Sequence, residues 1–233
     1  MFKSIVVVIA LTTSLFSEGG FSKEYYEIKD VKTRKKAFLN TLLPKIKSAQ
    51  KSILVERDKS YEILDRCYNN PESVSDKDVL FLESTAKKYR IKNIYNKNAY
   101  AKKIEIVPTS LTLAQAAVES AWGRSRFVKQ ANNIFGEHSK AGLKSKYHLP
   151  GQSHVRLRVF KDLEGSIASY MKNLNRHKAY KKFRNLRAYY QNRDRVFKGS
   201  KAATTMTHYS QLGEEYNRRI AKMIRVNHFE KYD

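Results

Sequence analysis

The chain has 233 residues, with 46 Lys and Arg against 22 Asp and Glu, for a formal net charge of +24. At 41% hydrophobic residues, with 9 Gly and 4 Pro, it is too apolar for a disordered basic tail and too poor in Gly and Pro for low complexity. Its one cysteine, Cys67, excludes an intrachain disulfide and a zinc site built on several thiolates, and the charge points to a polyanion or an anionic surface as partner.

Lys3 precedes the apolar run from Ile5 to Leu11, and small residues follow at Gly20 and Ser22. Residues 1–22 are therefore expected to be a secretory signal, which makes the chain exported, periplasmic or in the cell envelope. The run is shorter than the roughly 20 residues of a spanning helix, and a retained N-terminal membrane anchor is the alternative. Removing 1–22 takes away Lys3 and Glu18 and leaves the charge unchanged.

Leu39, Leu42, Leu43, Ile46 and Ile53 recur at helical spacing and predict a helix over 31–67, with a break or first turn at Pro44. Asn69-Asn70-Pro71 reads as a turn, and Ser75 caps a helix with Val79, Leu82, Ala86 and Tyr89 on one side. The basic, tyrosine-rich stretch 92–103 has no clear reading. Pro108-Thr109-Ser110 opens a helix expected to end at Trp122-Gly123. In 138–161, Val155, Leu157 and Val159 alternate with Arg156 and Arg158, which fits a strand or hairpin. Asp162 caps a helix with Ile167, Tyr170, Met171 and Leu174 on its apolar face, and two or three more helices follow, the last carrying Tyr216, Ile220, Met223 and Ile224. The fold class is mainly α with one small β excursion.

Gln115, Glu119 and Trp122 lie at i, i+4 and i+7, a face separate from Leu111, Ala114, Val118 and Ala121. A carboxyl one turn from an indole in a cleft holds its proton by desolvation, as a general acid for glycoside cleavage requires. The plain alternative is a surface glutamate on an amphipathic helix. Asn132-Asn133-Ile134-Phe135-Gly136 suits a tight turn, whose amides and ring could serve a sugar or simply cap a core phenylalanine.

Ala114-Gln115-Ala116-Ala117-Val118-Glu119-Ser120-Ala121-Trp122-Gly123, followed by that Asn132–Gly136 turn, resembles the signature of glycoside hydrolase family 73, the peptidoglycan β-N-acetylglucosaminidases, most closely its Bax-type branch. The similarity continues through Tyr170–Asn175, Ala179-Tyr180, Tyr209-Ser210 and Glu215-Tyr216. It implies a lysozyme-like helical domain with a small β-hairpin lobe at 106–229, preceded by a helical extension at 23–105 packed on it. It implies cleavage of the β-1,4 bond between N-acetylglucosamine and N-acetylmuramic acid, with Glu119 as general acid and Tyr209 in the active site. Gln115, Trp122, Asn132, Asn133, Phe135 and Tyr216 are the implied substrate-binding positions; no cofactor or metal is implied, and a monomer is expected.

The sequence departs from the family where many members supply a second carboxylate, since 138–161 contains no Asp or Glu. Glu137 is the nearest candidate, and the second role is otherwise substrate-assisted through the N-acetyl oxygen. A lytic transglycosylase on the same polymer, or a non-catalytic basic module for anionic envelope polymers, are the alternatives; nucleic acid is not expected for an exported chain. Lys140, Lys144, Lys146, Arg156, Arg158 and Lys161 concentrate charge in the acid-free span and suggest attraction to an anionic wall or membrane surface.

Overall fold

A computed structural model describes residues 20–139, 148–149 and 152–233. Most of the expected signal, together with Lys140, Lys144 and Lys146, lies outside the described residues. The chain is mainly helical, and its small β part is a three-stranded antiparallel sheet.

A short helix α1, Lys23–Glu27, leads into α2, Val31–Asn69, which is 39 residues and therefore roughly 58 Å long. Phe38, Leu42, Ile46, Ala49, Ile53, Ile63 and Leu64 run down its buried side. Contrary to the expected break, α2 passes through Pro44. Pro44 is exposed, so the carbonyl at residue 40 that loses its N–H partner faces solvent, while buried Leu42 and Ile46 on either side anchor the helix. The turn at 69–71 forms as read, and α3, Asp76–Tyr89, starts with a capping box between Ser75 and Asp78. The stretch without a clear reading holds α4, Lys97–Lys103, capped by Asn96 and anchored by the buried Tyr100.

Helix α5, Thr109–Glu119, is central: Thr109 through Ala117 are all buried. After α6, Arg126–Ala131, the sheet comprises β1 (His138–Ser139), β2 (His148–Leu149) and β3 (Gln152–Leu157), in the order β1-β3-β2. His138 pairs with Leu157, and an irregularity shifts the register between His148 and Leu149. Strand β3 stops short of Val159, which is exposed. Helix α7, Leu163–Arg176, is capped by Asp162 and buries Ile167, Tyr170, Met171 and Leu174 as its periodicity predicts. Helices α8 (Lys181–Gln191), α9 (Gly199–Ala203) and α10 (Glu214–Val226) complete the domain, with Tyr216, Ile220 and Ile224 of α10 facing inward.

One element of this packing is invisible to periodicity. Arg187 on α8 is almost fully buried and donates to the carbonyls of Lys102, Glu105 and Ile106 and to the side-chain oxygen of Asn175, at 2.8–3.1 Å. It thereby fixes the segment that delivers the chain into α5.

Candidate active site

Helix α5 ends at Glu119 because the next residues leave right-handed space: Ala121, Trp122 and Gly123 have φ of 50°, 55° and 76°. The Ser120 hydroxyl donates back to the Ala116 carbonyl and accepts from the Gly123 N–H at 2.7 Å, while the Trp122 N–H reaches the Ala117 carbonyl at 2.9 Å. The left-handed turn breaks the helical register on which the shared face of Gln115, Glu119 and Trp122 was premised. Trp122 instead packs edge-on against Phe38 and Phe229 with the Lys35 ammonium over its ring, and its carbonyl accepts from the Tyr25 hydroxyl. Its indole thus joins α5 to the N-terminal helices and is not the wall that desolvates Glu119. Gly123 is required here both by its positive φ and because a Cβ would lie 2.5 Å from the Phe21 ring.

The wall is made of tyrosines. Tyr216, at the start of α10, donates its hydroxyl to Glu119 Oε1 at 2.7 Å. Tyr209 stacks on Tyr216 with ring centroids 5.3 Å apart, and Tyr170 and Tyr180 each lie 6.3 Å from Tyr209. Burial pushes the Glu119 carboxyl above the ordinary glutamate range, and the Tyr216 hydrogen bond offsets this in part. The negative charge of Glu119 in turn adds to the burial that raises the hydroxyls of Tyr170, Tyr180, Tyr209 and Tyr216. Despite the net +24, Glu119 is surrounded by phenols rather than cations, so the protein's positive charge does not strip its proton.

Gln115 is fully buried, donating to the Tyr216 oxygen at 2.9 Å and accepting from the Tyr170 hydroxyl at 2.6 Å. Phe135 stacks flat on the other face of this cluster, 4.0 Å from the Tyr170 ring, and is itself buried. Asn132, left-handed at the end of α6, donates to the carbonyls of Phe160 and Lys161 and accepts from the Gly20 N–H. Asn133 donates to the carbonyls of Glu137 and Arg158 and accepts from the Glu137 N–H. Four of the expected sugar contacts, Gln115, Asn132, Asn133 and Phe135, therefore have their polar groups or faces engaged by the protein; they shape the site from beneath.

Asn133 holds the backbone of Glu137, whose Oε2 accepts from the Ser169 hydroxyl at 2.8 Å and from Arg158 at 3.4 Å. Its Oε1 is enclosed without a hydrogen-bond partner. Burial pushes the Glu137 carboxyl up, against the opposing pull of Ser169, Arg158 and Lys172. Both Glu137 and Glu119 raise the Tyr180 hydroxyl, so both acids lie near this tyrosine. Sequence reasoning did not assign Tyr170, Tyr180, Ser169 or Arg158 to the site. In the sequence Tyr170 stands on the apolar face of α7 and at the start of the family-like Tyr170–Asn175 run, and neither reports the direction of a hydroxyl. Among the described residues, no three His, Cys, Asp or Glu side chains come together as a metal site would need.

The model of the glucosaminidase family, described as mannosyl-glycoprotein endo-beta-N-acetylglucosaminidase, matches residues 93–229. The chain belongs to this family, glycoside hydrolase family 73. As a family member it is a glycoside hydrolase with peptidoglycan glycosidase activity. Protein bax of Escherichia coli (strain K12) is 32% identical over 203 residues, 83% of this chain and 70% of that protein. Two solved structures overlap in part. The C-terminally truncated glycoside hydrolase domain of Salmonella typhimurium FlgJ is 21% identical, covering 52% of this chain and 83% of that one with a TM-score of 0.36. The catalytic domain of the autolysin Auto from Listeria monocytogenes is 19% identical, covering 69% and 90% with a TM-score of 0.41.

Proposed function

We propose that this glucosaminidase cleaves the β-1,4 bond between N-acetylglucosamine and N-acetylmuramic acid, with Glu119 as the general acid. The observation that carries this reading is the position of Glu119: a half-buried carboxyl at the end of a buried helix, held by one phenol and walled by three more, with its proton retained by desolvation. Protonation of the glycosidic oxygen by Glu119 lets the leaving sugar depart as its hydroxyl while charge develops at the anomeric carbon. For the second role the geometry favours the substrate's own N-acetyl oxygen over Glu137. One Glu137 oxygen is held by Ser169 and Arg158 and the other is enclosed, so neither is free to activate a water. Tyr209 is half-buried and its hydroxyl has no hydrogen bond among the described residues, which leaves it free to meet the N-acetyl group. Mass spectrometry of digested peptidoglycan tests the bond and the chemistry together. A reducing N-acetylglucosamine end is expected; a 1,6-anhydro muramyl end would make the chain a lytic transglycosylase and overturn the assignment.

The same reading places the enzyme outside the cytoplasm, where its polymer is. Gly20 and Phe21 pack into the fold, Phe21 stacking on Tyr25 and Phe38, which favours removal of the leader before Gly20 rather than after Ser22. The positive surplus is proposed to draw the enzyme to an anionic wall. A cleft of about 710 Å³ between α9, α10 and the C-terminal turn has one acid, Glu230, in its lining against Arg218, Lys222, Arg225, His228 and Lys231. Among the described residues, Lys222, Arg225 and Lys231 have no acidic partner, which leaves their charge for an outside anion. Binding to intact peptidoglycan sacculi is expected to fall severalfold between low and physiological salt, because the Debye length shrinks to about 8 Å at 0.15 M. Sedimentation of the Glu119→Gln protein with sacculi measures this, and salt-independent binding would reduce the charge to a solubility feature.

A further inference from the structure

Three hydrogen bonds run in series through the buried heart of the site: Tyr170 hydroxyl to Gln115 Oε1 at 2.6 Å, Gln115 Nε2 to the Tyr216 oxygen at 2.9 Å, and Tyr216 hydroxyl to Glu119 Oε1 at 2.7 Å. Their direction follows from valence. An amide nitrogen can only donate, so the Tyr216 oxygen is the acceptor of that bond, and the single phenolic proton is left for Glu119. In this orientation the amide oxygen accepts from the Tyr170 hydroxyl; turned over, it would accept from Tyr216 and leave Glu119 as the donor, the opposite polarity of the same chain. Glu119 Oε2 has no hydrogen bond among the described residues, and it is not enclosed as Glu137 Oε1 is.

We propose that Gln115, itself set by Tyr170, is a positioning residue that aims the Tyr216 hydroxyl at Oε1 of Glu119 and so confines the transferable proton to Oε2. Oε1 accepts the Tyr216 hydrogen bond, which disfavours a proton on that oxygen; Oε2 is the atom left to carry it toward the glycosidic oxygen. The Gln115 amide also polarises the phenol that it donates to, which strengthens the bond to Glu119. The groups facing Glu119 are the phenols of Tyr216 on α10, Tyr170 on α7, Tyr180 in the turn 178–180 and Tyr209 before α10, and none of them carries charge at neutral pH. The proposal rests on Glu119 being the acid. A fully active Glu119→Gln would remove that reading, whereas a dead Glu119→Gln beside an unresponsive Gln115 variant would remove only this one.

The test is the pH profile of kcat/KM on peptidoglycan for the full chain and for Tyr216→Phe, Gln115→Met and Tyr170→Phe. A donor to the carboxylate favours the charged form, so removing it raises the carboxyl pKa and moves the alkaline limb upward. Tyr216→Phe is expected to shift that limb up by roughly half a unit to one unit and to lower kcat about five- to tenfold, one hydrogen bond's worth, with KM little changed. Gln115→Met is expected to shift the limb the same way by less, and to add nothing in the Tyr216→Phe background, because both act through one bond. Tyr170→Phe reads the same linkage through a conservative change and covers the case in which Gln115→Met fails to fold. An unmoved limb in Gln115→Met and Tyr170→Phe, or a Gln115→Met effect that persists without the Tyr216 hydroxyl, would overturn the proposal. A downward shift in Tyr216→Phe would also overturn it, since the chain would then run the other way with Glu119 donating.

Discussion

Glu119→Gln is expected to abolish hydrolysis, lowering kcat by about 10²–10⁴ while leaving the fold intact. The amide oxygen of glutamine still accepts from Tyr216, and the neutral side chain no longer has a charge to desolvate, so thermal stability should hold or rise. Release of reducing ends from sacculi measures the first effect and a melting curve the second. The companion Glu137→Gln is expected to retain activity within about tenfold of the parent, because glutamine keeps the Ser169 contact and the site loses no free base. If the Glu137 variant is as inactive as the Glu119 variant, substrate assistance loses its support and a second protein acid must be reinstated. In the parent, hydrolysis should decline as pH rises through the raised Glu119 pKa, since the acid form is the working one.

Arg187→Ala is expected to produce the largest loss of stability. The change removes donors from three main-chain carbonyls and from the Asn175 side chain, and it leaves a void beside Phe183, over which the guanidinium sits at 5.0 Å. Stranding buried acceptors in this way costs about 3–5 kcal/mol, or a fall in melting temperature of roughly 10 °C for a chain of this size. Circular dichroism of the purified protein checks it, and a fall under about 2 °C would show that water replaces the guanidinium. The residue matters beyond stability, because the carbonyls of Glu105 and Ile106 lie just before Pro108 and the start of α5.

The sequence was informative where local chemistry decides the outcome. Ser75, Asp162 and the Asn69-Asn70-Pro71 turn declare the ends of helices by short-range hydrogen bonding, and the apolar faces of α7 and α10 follow from period alone. Pro44 shows the limit of such signals, because long-range packing along α2 outweighs one missing hydrogen bond. The signature around Glu119 pointed to the candidate site, but not to the identity of its walls. Helix α5 is buried all round, so no amphipathic stripe distinguishes the face toward Tyr216 from the face toward the N-terminal helices. Trp122 was misdirected by assuming that helical spacing continues, and nothing in an Ala-Trp-Gly run announces two non-glycine residues in left-handed space. Arg187 was hidden for the opposite reason: an arginine in a basic stretch reads as solvated, and its burial depends on carbonyls some eighty residues earlier.

The left-handed run after Glu119 gives the packing of Phe21, Tyr25, Lys35 and Phe38 a thermodynamic role. Holding Ala121 and Trp122 at positive φ costs roughly 1–2 kcal/mol each. Phe21, Tyr25, Lys35 and Phe38 all contact the turn in this conformation. They act as a tethered ligand, present at the high effective concentration of its own chain, that binds one conformer of the turn and shifts its population. The segment from Phe21 to Phe38 and the carboxyl that ends α5 are therefore linked variables. What loosens the N-terminal segment weakens the turn, and what orders the turn tightens the segment in equal measure.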